Sequence, residues 1–286
     1  MFERILACLC AVAIIGTATA QERELVFAVT EGVTYQATPK EIREKFAPIG
    51  EVIAKAVGRR VRTVLVPGYD DLRAGLANQE YDVAFVHPAH VSMAEIKAGR
   101  YNAVAWTAGY TDYSVALLID GKRTLKSIED LRGRTVVTPD PDSITAAMVR
   151  AMLRAARLPM TTAKPAASVD RQDSSVVRLI ATRYQDAVPF YIENGFAQVG
   201  ATAAKSVVKA WTDKGGIVLA QSRSVPIKQL IASTRISVAD QDRLRQALVT
   251  LASNKPGRDA LDVLGYKGFV PPDPAVEKDT IAWLGL

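Results

Sequence analysis

The residues most able to bind something lie at a corner between a predicted strand and a predicted helix. The stretch 134–138 is short and β-branched, and two prolines follow it closely. Asp142 or Ser143 can then cap a helix of strong helix formers. The first N–H groups of a helix carry partial positive charge and lack internal acceptors, and the hydroxyls of Ser143 and Thr145 add donors. The corner therefore predicts either a site for an anionic or strongly polar group or a cap that satisfies itself.

The two histidines could also do chemistry. His87 and His90 follow a predicted strand, and their three-residue spacing at a helix start could aim both imidazoles at one point, with Glu31 as a third ligand. Two histidines are a thin ligand set for a transition metal, and the chain has no others. We therefore expect a cap, a ligand contact or a hinge contact here, and predict neither a metal nor a cofactor.

Nucleophilic catalysis finds little support. Ser143 would need a histidine and a carboxylate beside it, but the strained Gly-x-Ser-x-Gly turn is absent. Cys8 and Cys10 both fall in the leader described below, so cysteine chemistry is excluded from the rest of the chain. We predict that the protein is not an enzyme.

Tyrosines and one arginine offer further contacts. Arg183 follows an apolar strand and precedes a predicted helix at 184–194, so its guanidinium could pair with an oxoanion or a carboxylate, or simply form a surface salt bridge. Several tyrosines fall at predicted strand ends or loops, as expected for a cleft wall with ring faces and hydroxyl donors. These are Tyr35, Tyr69, Tyr110, Tyr113 and Tyr184.

The chain opens with an export signal. Residues 1–20 combine an early arginine, an apolar run and a small-residue ending, which predicts cleavage after Ala20 and a periplasmic location. No later stretch has the length of a transmembrane span. The net charge of +6 is dispersed, without a basic block or aromatic interleaving, which argues against nucleic-acid binding.

Beyond the signal, short apolar strands alternate with amphipathic helices. This pattern predicts an α/β fold whose ligand face lies beyond the carboxyl ends of parallel strands. The chain is longer than one core usually organises, so we expect two lobes. Lobe one comprises 21–110 and 223–286, and lobe two comprises 111–222.

Several short sequence phrases, taken in chain order, resemble those of one family, and the resemblance covers nearly the whole chain. The sequence is similar to the phosphate, phosphite and phosphonate-binding periplasmic proteins of ABC transporters. The resemblance implies the type 2 periplasmic binding protein fold, with two lobes, each a mostly parallel sheet flanked by helices, and a two-strand hinge. The phrases are 46–50, 69–72, 81–84, 87–94, 113–114, 125–134, 140–146 and 268–271.

The resemblance also implies a function. It indicates the solute-binding component of an ABC uptake system, a monomer that closes on a small polar, anionic ligand and presents it to an inner-membrane permease. Two alternatives stay open: a periplasmic sensor that partners a membrane histidine kinase, and an enzyme on the same bilobal fold. The predicted ligand-binding residues are Tyr35, Tyr69, His87, His90, Tyr113, Ser143, Thr145, Arg183 and Tyr184.

The binding corner departs from the family pattern. The usual Ser-Thr-Ser-Gly is Ser143-Ile144-Thr145-Ala146 here, so two hydroxyls remain. His90 stands where a tyrosine often follows the strand-three proline, and a family histidine corresponds to Arg183 or Tyr184. Phosphonate is therefore one candidate among small anions.

Overall fold

The computed structural model describes residues 23–31, 38–163 and 174–286. The predicted export signal and Tyr35 lie outside these residues. Within them, no helix is long and apolar enough to cross a membrane.

Helices and strands alternate along most of the chain, as the sequence predicts. The strands are β1 (Leu25–Thr30), β2 (Val61–Leu65), β3 (Val83–Val86), β4 (Tyr101–Thr107), β5 (Ala116–Ile119), β6 (Thr135–Thr138), β7 (Met160–Thr162), β8 (Val177–Ala181), β9 (Val199–Thr202), β10 (Ile217–Gln221), β11 (Gln229–Ser233) and β12 (Phe269–Val270). The α-helices are α1 (Pro39–Val57), α2 (Tyr69–Ala77), α3 (Ala89–Lys97), α4 (Ile144–Ala155), α5 (Val188–Glu193), α6 (Lys205–Asp213), α7 (Val238–Val249), α8 (Lys255–Leu264) and α9 (Pro274–Leu284).

The strands of the described chain form two six-stranded sheets, here called sheet one and sheet two. Sheet one has the order β12-β4-β11-β3-β1-β2, and sheet two the order β10-β5-β9-β6-β8-β7. Strands β1 and β6 are each parallel to both of their neighbours. Strands β11 and β5 are each antiparallel to both of theirs. The predicted α/β class with two lobes is confirmed. Both sheets are mixed: β11 and β12 run against the other four strands of sheet one, and β5 runs against the other five strands of sheet two, so most strands of each sheet share one direction.

Two crossing segments, 108–115 and 222–228, connect the sheets. They run antiparallel: Tyr113 and Val225 exchange backbone N–H···O bonds of 3.1 and 2.9 Å, and the N–H of Ile227 donates to the carbonyl of Tyr110 at 3.0 Å. This pairing matches the predicted two-strand hinge. It fixes the tyrosines of the first segment against the second segment.

Helix α1 shows how local sequence positions the elements. Thr38 and Glu41 form a reciprocal capping box at its start, and Gly58 ends it in the left-handed conformation that glycine adopts without strain. Ile42, Phe46, Ile49, Ile53 and Val57 face the core of sheet one. This is the apolar stripe that helical spacing predicts.

The C-terminal helix α9 packs between the two halves of the molecule. The sequence assigns it to lobe one, and it contacts both α3 and α4. Ile281 and Leu284 join a core cluster that contains Leu117 of β5 and Met148 of α4. Arg154 of α4 also donates to the carbonyl of Leu284. The exact lobe boundaries stay a prediction, but α9 buries apolar surface against both sides.

Candidate functional site

The corner after β6 forms as the sequence predicts. Ser143 adopts extended backbone angles and caps α4, its Oγ accepting the N–H of Ala146 at 3.1 Å. The Asp140 side chain accepts the N–H of Asp142 at 2.9 Å, which holds the preceding turn. The Ser143 oxygen therefore serves as a helix cap. The free N–H groups of the first turn do not distinguish this corner, because every helix start has them.

Thr145 belongs to a hydrogen-bonded group that joins three strand ends of sheet two. Its Oγ1 lies 2.8 Å from the hydroxyl of Tyr113, and Gln185 Nε2 lies 3.3 Å from the same hydroxyl. Gln185 Oε1 accepts from Thr202 Oγ1 at 3.1 Å and from the N–H of Ala203 at 2.6 Å. We call Tyr113, Thr145, Gln185 and Thr202 the polar group.

Gln185 was missing from the sequence-based prediction. The prediction favoured Arg183 and Tyr184 because they open a helix, but a 3-10 turn at Gln185–Ala187 comes first and α5 begins only at Val188. Pro189 accounts for the difference, since proline is tolerated only in the first turn of a helix. Gln185 carried one available signal: it is an amide side chain directly after a strand end.

Arg183 and Tyr184 pair with each other. The guanidinium of Arg183 lies 5.3 Å from the centre of the Tyr184 ring, and the Arg183 side chain is exposed. Neither residue joins the hydrogen bonds of the polar group. Their predicted ligand contacts stay predictions.

A cavity of about 560 Å³ lies where the crossing segments enter sheet two. We call it the hinge cavity. Tyr113 lines it together with the end of β9, the start of α6 and the strands β5 and β10. Its charged lining residues are Asp112, Lys205 and Lys209. Burial raises the pKa of Tyr113, so its hydroxyl stays protonated at neutral pH.

Helix α2 of lobe one approaches the corner from the other side. Tyr69 begins α2 and is buried, with the guanidinium of Arg73 6.0 Å from its ring centre. Arg73 Nη2 reaches across to Asp142 Oδ1 at 2.7 Å. This ion pair joins α2 of lobe one to the corner of lobe two.

Both histidines are held neutral. The side chain of His87 has Nδ1 3.1 Å from the carbonyl oxygen of Ile227, which assigns the proton to Nδ1. Burial, and then the nearby Lys228, lowers the pKa of His87 to about 4. Burial, with Arg150 and Arg73 next in effect, lowers the pKa of His90 to about 3. Nδ1 of His90 is buried and has no hydrogen-bond partner among the described residues.

A buried charged cluster connects the end of β1 to the second crossing segment. Glu31 accepts from Lys228 and from Lys45, each at 3.0 Å, and from the Tyr266 hydroxyl at 2.5 Å. The Lys228 ammonium lies 4.5 Å from the ring centre of Tyr110, which also lines the hinge cavity. Although burial opposes ionisation, Lys228, Tyr266 and Lys45 together hold the pKa of Glu31 below its usual value. Of these residues, the sequence pattern points only to Glu31 and Tyr110.

Comparison with known families decides what kind of protein carries this site. Residues 32–276 match the family model described as "ABC transporter, phosphonate, periplasmic substrate-binding protein". The chain belongs to this family. The family consists of periplasmic substrate-binding components of ABC transporters, which implies a small-molecule ligand and a membrane permease as partner. The resemblance stated from the sequence is therefore confirmed.

Several solved structures have the same fold as this binding protein. XAC2383 from Xanthomonas citri bound to ATP is 16% identical with a TM-score of 0.74, over 91% of this chain and 96% of that one. A binding protein component of an ABC phosphonate transporter from Pseudomonas aeruginosa is also 16% identical, with a TM-score of 0.56 over 91% and 84% of the chains. PhnD1 from Prochlorococcus marinus in complex with methylphosphonate is 12% identical, with a TM-score of 0.56 over 91% and 96%. A comparison with curated protein sequences found no match.

Proposed function

We propose that this binding protein takes up a small anion, which it holds in the hinge cavity beside Tyr113 and delivers to its permease. The observation that carries the proposal is the cavity itself, where polar donors of sheet two and two ammonium groups meet. A volume of about 560 Å³ lies within the usual range for small-molecule sites.

The charges around the cavity favour an anion. Lys205, Lys209 and Asp112 are its charged lining residues, and Lys209 Nζ forms a salt bridge with Asp213 Oδ2 at 2.7 Å. Lys205 is therefore the main ammonium group for an anion, and Lys209 adds to it from an exposed ion pair. Lys205 stands at the first position of α6, where the N–H groups of the helix start add further positive potential. An anion bound here is therefore balanced by positive charge that the protein itself supplies.

Closure of the lobes fits the same proposal. The Arg73–Asp142 pair joins the lobes across the corner, and its side chains are 41% and 51% exposed. A surface pair of this kind contributes little on its own, so it can break and re-form as the lobes move. A ligand that contacts both lobes shifts the population toward the closed form by its differential affinity.

Two of the compared proteins hold phosphorus oxyanions, namely ATP and methylphosphonate. Because their sequence identity to this chain is low, these ligands guide only the choice of probes. Inorganic phosphate, phosphite, methylphosphonate, methanesulfonate and acetate cover the candidate anion classes, and arginine serves as a cationic control.

The test is calorimetric titration of the protein after unfolding and refolding, which removes any ligand that co-purifies. In a thermal scan, an anion at a concentration of 100 times its Kd should stabilise the fold by about 2.7 kcal/mol, which corresponds to a Tm increase of roughly 5–10 °C. The double variant Lys205→Met/Lys209→Met should bind at least about tenfold more weakly. Its matched control is Lys122→Met/Lys126→Met on the connection after β5. Absence of binding by every anion would refute the proposed ligand class.

A further inference from the structure

The polar group has a fixed direction of hydrogen bonding, and Gln185 is the residue that sets it. A backbone N–H can only donate, so the atom that lies 2.6 Å from the Ala203 nitrogen must be the amide oxygen. Thr202 agrees with this orientation: its Oγ1 accepts the N–H of Ala204 at 3.1 Å and gives its own proton to the same oxygen of Gln185. The NH₂ of Gln185 therefore faces Tyr113 and donates to its hydroxyl.

Thr145 supplies the second hydrogen bond to Tyr113. The Thr145 residue is only 1% exposed, so water does not reach its hydroxyl. Among the described residues, the acceptor within reach of that hydroxyl is the Tyr113 oxygen at 2.8 Å. A buried hydroxyl proton without an acceptor carries a substantial desolvation cost. Thr145 therefore donates to Tyr113.

The phenol oxygen of Tyr113 thus accepts two hydrogen bonds, and its own proton is left over. Tyr113 lines the hinge cavity, which is where that proton can find an acceptor. Hydrogen bonds in a chain polarise one another, so two donors behind the phenol make it a stronger donor in front.

We infer that Tyr113 is a preset hydrogen-bond donor to the ligand, that Gln185 and Thr145 are positioning residues, and that the ligand presents a deprotonated, acceptor-only oxygen at this point. The inference rests on the proposed function and narrows it. A group that must itself donate, such as an ammonium or an amide N–H, has no acceptor at the Tyr113 hydroxyl.

If the hydrogen bond between Tyr113 and Thr145 ran in the opposite direction, variants of these two residues would give different results. If Tyr113 donated to Thr145 instead, its proton would not reach the ligand, and Tyr113→Phe would cost little binding. In the arrangement inferred here, Tyr113→Phe removes the donor, whereas Thr145→Val leaves the phenol proton free to point into the cavity. The two substitutions are therefore the first part of the test.

The probes are methylphosphonate and inorganic phosphate, with Kd measured by calorimetry on the full refolded protein. Tyr113→Phe should weaken binding by about tenfold or more, because a hydrogen bond to a charged group is lost. Thr145→Val should stay within about threefold of wild type. Thr145→Ser, which keeps the hydroxyl, provides a second variant if the valine perturbs folding. Equal losses in Tyr113→Phe and Thr145→Val would overturn the inferred direction.

Gln185→Glu tests the positioning role. Its carboxylate accepts the Tyr113 proton and so turns the donor away from the cavity. Tyr113→Phe should then change Kd by less than about twofold in the Gln185→Glu background, against about tenfold in wild type. Both members of that comparison carry the same added charge, so repulsion of the anion cancels. A merely structural role of Gln185 predicts equal effects of Tyr113→Phe in both backgrounds.

Gln198→Glu is the matched control. Gln198 also accepts a backbone N–H, that of Thr135 at 2.8 Å, but it lies just before β9, whereas Thr202 of the polar group is at the far end of that strand. This control should leave the effect of Tyr113→Phe unchanged. If wild type binds neither probe nor any other anion, the proposed function fails and this inference fails with it. If wild type binds and the two substitutions act additively, only the inference is overturned.

Discussion

Replacing Glu31 by glutamine should destabilise the protein strongly, because it leaves two ammonium groups without their shared carboxylate. The Glu31 side chain is 1% exposed, and those of Lys228 and Lys45 are 10% and 16% exposed. Glutamine keeps the size and shape of the side chain but removes the charge. Breaking one side of a buried ion pair typically costs about 3–5 kcal/mol.

The measurement is urea unfolding at pH 7, followed by tryptophan fluorescence, together with a thermal scan. We expect the unfolding free energy to fall by about 3–5 kcal/mol and the Tm to fall by roughly 6–20 °C. The matched control is Glu44→Gln: Glu44 is 65% exposed and lies 3.7 Å from Lys40 on the same helix as Lys45. Exposed pairs contribute about 0–1 kcal/mol, so the control should unfold nearly as wild type does.

A second variant separates charge from shape. Glu31→Gln/Lys228→Met removes the most buried cation together with the carboxylate, so part of the lost stability should return. The pH dependence gives an independent check. Because the pKa of Glu31 is lowered in the fold from a usual 4.5, its contribution is present above that value and is lost as the pH falls through the folded pKa. A loss under about 1 kcal/mol in Glu31→Gln, or a further loss in the double variant, would refute the reasoning.

Two further predictions concern the junction of the lobes. His90 has a folded pKa of about 3 against 6.5 in the unfolded chain, so the unfolded state binds more protons between these values and stability falls as the pH falls. From pH 6.5 to 5, His90 should lower the unfolding free energy by about 2 kcal/mol. Urea unfolding at both pH values should show that His90→Gln lacks this loss. An unfolding free energy that falls with pH as steeply in the variant as in wild type would contradict the prediction. Arg73→Ala should lower the unfolding free energy by less than about 1 kcal/mol, since the pair with Asp142 is half-exposed. Its effect should shrink further in high salt, and a loss of several kcal/mol would show that the pair is not a surface contact.

The polar group shows where sequence reasoning succeeded and where it failed. Tyr113 and Thr145, like the neighbouring cap Ser143, could be placed because strand ends and helix starts are local features: prolines, a capping residue and a β-branched run mark them directly. Gln185 could not be found in this way. Its partners Tyr113 and Thr202 lie far from it in the sequence and come together only when three strands of sheet two align.

The buried charged cluster makes the same point for electrostatics. Lys45 reads as a polar position on an amphipathic helix, and Lys228 as an ordinary lysine after a strand. Both ammonium groups are nonetheless packed against Glu31, which lies 14 residues from Lys45 and 197 residues from Lys228. Charge pairing at such separation depends on which surfaces the fold places face to face, and no local pattern records it.

By itself, the sequence determined the alternation of strands and helices, the stripe of α1, the corner at Ser143 and the family of binding proteins. These follow from residue types at short, regular spacing, which act through local hydrogen bonding and burial. Only the tertiary structure decided that both sheets are mixed, that α9 packs against both lobes and that Gln185 meets the Tyr113 hydroxyl. Each of these depends on contacts between distant segments, and the direction of a hydrogen bond is set by all the donors and acceptors that surround it.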